Sequence, residues 1–133
     1  MTLEFRLEPT KKIKIIIAPE RAKRPNVHKN KNEKKLCPFD AGREASTPPS
    51  TLEVITYSDK RPKKTNWQVR AMKNKFPFLL QREKFEKNKA VTGAHGVHEV
   101  IVETPRHNEQ FENFSKEQLQ LAFQAYVNRF REI

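Results

Sequence analysis

Val97-His98-Glu99-Val100-Ile101-Val102-Glu103 carries the strongest strand signal in the chain, and Ser115 to Ile133 the strongest helix signal. In the first stretch, alternation at period two sets His98, Val100 and Val102 on one side, which predicts a strand at the centre of its sheet. In the second, Ser115 followed by Gln118 forms a capping-box signature ahead of Leu119, Ala122, Phe123, Tyr126, Phe130 and Ile133 at helical spacing. That apolar helix face needs a sheet to cover. The helix runs to Ile133 without a glycine stop, which predicts an interrupted domain.

Working toward the N-terminus, Trp67 to Met72 and Leu52 to Tyr57 predict two more strands, a hairpin or meander joined by the polar, basic stretch Ser58 to Asn66. Asn74 to Phe78 and the charged run Arg82 to Lys89 read as a connection. Lys12 to Ala18 places Ile13, Ile15 and Ile17 on one strand face with Lys14 on the other. Pro19 to Lys35 is rich in proline, asparagine and basic residues, and predicts a mobile basic loop. Cys37 to Pro49 favours turns, and both a folded knuckle and a plain loop satisfy it.

The 133 residues suffice for one domain with a modest core. Apolar residues are 35% and charged residues 32%, too many apolar for disorder throughout. A formal charge of +11 attracts polyanions: nucleic acid, phosphorylated metabolites or acidic lipids. No apolar run approaches the roughly 20 residues that cross a bilayer, and no secretory signal precedes Lys12, which predicts a cytoplasmic protein with no membrane partner. The single cysteine, Cys37, cannot form an internal disulfide.

Four separated stretches, I-I-A-P-E-R-A-K-R-P (Ile16 to Pro25), C-P-F-x-x-G-x-E (Cys37 to Glu44), V-R-A-M-x-N-K-F-P (Val69 to Pro77) and G-V-H-E-V-I-V-E-T-P-R-H (Gly96 to His107), occur in the order found in one enzyme family. On them the chain resembles the N-terminal domain of galactose-1-phosphate uridylyltransferases, of the histidine-triad superfamily. The resemblance implies an α+β fold, with residues 1–133 forming a single, incomplete histidine-triad-like domain: an antiparallel sheet with a C-terminal helix packed on it. It implies the first part of a nucleotidyltransferase of galactose metabolism that moves uridylyl between UDP-glucose and a hexose 1-phosphate. Nucleotide sugar and sugar phosphate are then its small-molecule partners. An unpaired sheet edge also predicts association, as a homodimer or with a complementing C-terminal chain.

By the same resemblance Cys37 and His107 are zinc ligands. Asp40 stands where the family has a second cysteine, and a carboxylate can take that place, with a weaker or empty site expected. Arg21 and Arg24 would reach phosphates, in the family often those bound by the neighbouring subunit, since guanidinium forks suit bidentate contacts. Phe39, Asn74 and Val100 would surround the base and ribose. The family nucleophile is the second histidine of an H-P-H-x-Q motif, which these 133 residues do not contain, and no catalytic residue is assigned. The chain alone is expected to be truncated before that motif and inactive.

Plainer readings stand beside these. Cys37 fits a buried small hydrophobe, His107 a surface loop residue, and His95 with His98 an incidental pair. His98 and Glu99, adjacent in a strand, face opposite ways and cannot act on one atom. Trp67 reads as a core or lid anchor. Two other functions remain open: a basic nucleic-acid-binding module, on the charge and on aromatics among basic residues, and an adenylyl-transferring relative such as ADP-glucose phosphorylase.

Overall fold

The computed structural model describes residues 4–24, 36–55, 67–79 and 96–133, so the run Arg82 to Lys89, His95, the stretch Ser58 to Asn66, the end of the strand predicted through Tyr57 and most of the predicted basic loop lie outside the described residues. The chain divides into two compact units, Met1–Glu33 with Phe76–His98, and Lys34–Lys75 with Glu99–Ile133.

The first unit holds an antiparallel ribbon of β1 (Glu4–Leu7) and β2 (Lys14–Ile17), in which Phe5 faces Ile16 and Arg6 faces Ile15. The connection closes because the Glu8 carboxylate accepts the amides of Thr10 and Lys11 (2.9 and 2.5 Å), while Lys12 takes a left-handed φ of 54°. The segment that begins the predicted mobile loop is ordered instead as a 3-10 turn, Pro19–Lys23. A proline at its first position supplies the fixed φ that a helical turn needs.

The second unit is α+β, an antiparallel sheet with the C-terminal helix packed on it. Strands β3 (Ser50–Ile55), β4 (Trp67–Lys73) and β5 (Glu99–Val102) run in the order β3-β4-β5, and helix α1 (Lys116–Glu132) contacts β3 and β4. The centre of the sheet is β4, not the Val97–Glu103 strand expected there; among the described residues β5 lies at the edge. Trp67 to Met72 are all buried, including Gln68 and Arg70, and Trp67 is a core anchor, 3% exposed. Polar residues can occupy a central strand here because Arg70 finds Ser50 Oγ (2.5 Å), the Pro48 carbonyl (3.3 Å) and the Glu53 carboxylate (3.4 Å).

Helix α1 starts where the sequence predicts: the Ser115 side chain accepts from the Gln118 amide at 3.1 Å. The reciprocal half of the capping box is replaced. Gln118 Nε2 donates instead to the backbone carbonyls of Gln68 (3.0 Å) and Glu103 (2.6 Å), tying the helix to the sheet. The buried face is correspondingly Gln118, Ala122 and Ala125, with Leu121 beside them, packed on Val69, Leu52, Val54 and Ile101. Of the expected apolar face, Phe123, Phe130 and Ile133 are exposed, Phe130 at 88%. Small alanines let the helix approach the sheet closely, and the large aromatics fall on the other side. Farther along, Arg129 forms a two-point ion pair with Glu99 (2.7 and 2.9 Å), its guanidinium held above the ordinary arginine range chiefly by that hydrogen bond.

Candidate functional site

The metal ligands expected from sequence come together in the second unit. Cys37, Asp40 and His107 each offer a donor atom, and the three donors lie within 4.8 Å of one another. His107 Nδ1 and Asp40 Oδ1 are 2.5 Å apart, joined by a hydrogen bond.

Each residue is placed by local chemistry. Cys37 and Asp40 share one tight turn, with the Asp40 amide donating to the Cys37 carbonyl (3.2 Å) and the Arg43 amide to the Asp40 carbonyl (3.0 Å). Gly42 continues the turn at φ 83°, a conformation that a side chain strongly disfavours. A 3-10 turn, Glu44–Ser46, then leads toward β3. The segment is therefore a folded knuckle.

His107 sits just beyond β5, after the buried Pro105, in a turn braced by Thr104 Oγ1 to Glu109 (2.5 Å) and by the Arg106–Glu109 ion pair (2.7 Å). Phe39, Asp40, Val102 and His107 are among the residues lining a surface cavity of about 340 Å³. The sulfur, oxygen and nitrogen donor set suits zinc, for which bonds of about 2.0–2.3 Å set tetrahedral ligands a little over 3 Å apart. Donors within 4.8 Å need only small adjustments to close on an ion, so the residues fit the group.

The remaining expected residues are distributed. Phe39 is 39% exposed and borders the cavity. Val100 pairs with Met72 on β4, and the strand pleat turns it away from α1, because its neighbour Glu99 is the residue that meets Arg129. Asn74 directly follows β4.

Arg21 and Arg24 belong to the other unit. There Arg21 Nη1 donates to the Phe76 carbonyl at 2.5 Å, and its guanidinium lies 5.6 Å from the centre of the Phe78 ring. Phe78 in turn packs on His98 (ring centroids 4.1 Å apart) and donates its amide to His98 Nδ1 at 3.2 Å. Burial, then the charges of Arg21 and Arg24, hold the His98 imidazole below its usual range, in keeping with an unprotonated Nδ1. Arg21 is thus held between the Phe76 carbonyl and the Phe78 ring.

Sequence reasoning assigned no role to Glu44 or Arg70, gave Gln118 only a place in the capping box, and set the pair His95 and His98 aside as incidental. Glu44 Oε1 accepts from Trp67 Nε1 (2.7 Å) and the Gly42 amide (3.0 Å). Burial pushes its carboxyl up, but those hydrogen bonds, with the Arg70 charge, outweigh burial and leave it below the usual carboxylate range. The available signal was its place as the last residue of C-P-F-x-x-G-x-E.

No family model matches the chain, but comparisons of sequence and of structure both find similarity to known proteins. The sequence is 29% identical over 142 aligned positions to ADP-glucose phosphorylase of Arabidopsis thaliana, covering 98% of this chain and 39% of that protein. The structure matches the crystal structure of an ADP-glucose phosphorylase from Arabidopsis thaliana with bound ADP-glucose, with a TM-score of 0.59, 26% identity, all of this chain and 39% of that one. The chain thus spans about two-fifths of the length of the relative it matches. Among the described residues no helix is long and apolar enough to cross a membrane. Similarity to ADP-glucose phosphorylase at both levels supports the histidine-triad, nucleotidyl-transferring superfamily as the origin of this fold.

Proposed function

We propose that the chain is the nucleotide-sugar-binding and metal-holding part of a cytoplasmic nucleotidyl-transferring enzyme, and that its donor is an ADP-sugar rather than a UDP-sugar. The observation that carries this is the similarity, across nearly the whole chain in sequence and all of it in fold, to an ADP-glucose phosphorylase. Uridylyl transfer from UDP-glucose, implied by the motifs alone, becomes the lesser reading, because those first-half motifs are shared by the adenylyl branch.

Within this proposal Cys37, Asp40 and His107 hold a zinc ion that fastens the knuckle to the end of β5, and one tetrahedral position is left for a further ligand. Arg21 and Arg24 contact phosphate oxygens, for which Arg21 is already oriented by Phe76 and Phe78. Phe39 and Val100 offer apolar surface to base and ribose, and Asn74 a paired donor and acceptor. The H-P-H-x-Q nucleophile is not among these 133 residues, so binding rather than turnover is assigned to them.

Chemical-shift mapping with ADP-glucose tests this assignment. Saturable shifts concentrated at Arg21, Asn74 and Val100 are expected. Shifts scattered over lysines and abolished by modest salt would instead identify a nonspecific polyanion binder.

A further inference from the structure

We infer that Glu44 is a positioning residue for the Cys37–Asp40–His107 site, acting through Trp67 to fix the knuckle against the central strand. The inference rests on the metal reading above and adds a residue to it.

The three donors are carried on two separate segments. His107 follows β5, which is locked to β4 through the pairs Arg70 with Val102 and Ala71 with Ile101. Cys37 and Asp40 lie on a run of turns whose backbone bonds are local: Asp40 to Cys37, Arg43 to Asp40 and Ser46 to Arg43. Such turns fix the shape of the knuckle but not its placement relative to the sheet.

Glu44 supplies that placement. Its Oε1 takes the amide of Gly42 from inside the knuckle and the indole N–H of Trp67 from β4. Trp67 is 3% exposed, so its ring is a fixed reference. The Thr47 hydroxyl and amide close on the Glu44 carbonyl (2.8 and 3.1 Å), holding its backbone on the other side. One carboxylate oxygen therefore joins the loop with two prospective ligands to the sheet that leads to the third. Residues that orient a metal site without touching the ion are commonly worth about 10–100-fold in metal affinity.

Reach and charge are separable. Glu44→Asp keeps the charge and shortens the side chain by one methylene, so it cannot hold Gly42 and Trp67 together. Glu44→Gln keeps an oxygen at the same reach and loses the charge. Zinc affinity of the purified chain, measured by competition with a chromophoric chelator, should fall about 10–100-fold in Glu44→Asp and stay within about threefold of wild type in Glu44→Gln. Cobalt-substituted Glu44→Asp should also lose intensity in its tetrahedral d–d bands, while its metal-free circular dichroism stays native.

Wild-type affinity and cobalt spectrum in Glu44→Asp would overturn the inference. Equal losses in both variants would overturn it too, since charge rather than reach would then be responsible. Failure of the wild-type chain to bind zinc or cobalt would instead remove the metal site on which the inference stands.

Discussion

Replacing Gln118 with leucine probes the joint between helix and sheet. The side chain is 6% exposed, and its amide nitrogen donates to two backbone carbonyls, one on β4 and one just after β5. Leucine has nearly the same volume and a better helix propensity, so packing and helicity are close to conserved while both donors disappear. Each lost hydrogen bond is worth about 0.5–1.5 kcal/mol net, and the total comes to about 1–3 kcal/mol. With a urea m-value of about 1–3 kcal/mol/M, the midpoint should fall by roughly 1 M at unchanged slope. Urea unfolding followed by Trp67 fluorescence measures it. A variant as stable as wild type would refute the reasoning, because the helix would then be held by alanine and leucine packing alone.

Glu99→Ala leaves the Arg129 guanidinium, 11% exposed, with only the exposed Glu132 carboxylate as partner, and should cost about 1.5–3 kcal/mol in urea unfolding, more than the paired Glu99→Met/Arg129→Met exchange. His98, held below the ordinary imidazole value of 6.5 by burial and then by Arg21 and Arg24, contributes stability that is full above that pH and is lost as pH falls through the folded pKa. Hydrogen-exchange protection of the Phe78 amide should accordingly drop on acidification below 6.5 in wild type and stay flat in His98→Asn, which keeps an acceptor that does not titrate. Elemental analysis of chelator-free protein should find zinc that Cys37→Ser removes; less than about one-tenth of an equivalent in wild type would strike Cys37, Asp40 and His107 from the ligand set, because structural sites bind tightly and are normally full.

What the sequence disclosed follows the range of the physics involved. The helix start was legible because Ser115 acts on an amide three residues away. Which helix face is buried was legible only in part: Ala122 was placed on it and is fully buried, but hydrophobicity also favours Phe123 and Phe130, whereas close approach to the sheet selects Ala122 and Ala125. The alternation of Val97 to Glu103 found β5 but not its position at the edge. The central strand β4 carries two buried polar residues, Gln68 and Arg70, and the burial of Arg70 depends on Pro48, Ser50 and Glu53, partners that no local pattern reveals. Strand β1 was missed because four residues give too short a pattern without sight of the partner strand β2.

For the candidate site, Cys37 and His107 lie far apart in sequence and were linked only through resemblance, and the structure then sets their donors within 4.8 Å. Glu44 could not be assigned from the residues alone, since its task depends on Trp67 arriving from a separate strand.

Isothermal titration of the zinc-loaded chain with ADP-glucose and with UDP-glucose tests the donor assignment most directly. Saturable binding of ADP-glucose, several-fold tighter than UDP-glucose and weakened by Arg21→Ala, is the predicted result. Tighter binding of UDP-glucose, or no saturable binding of either nucleotide sugar, would contradict it.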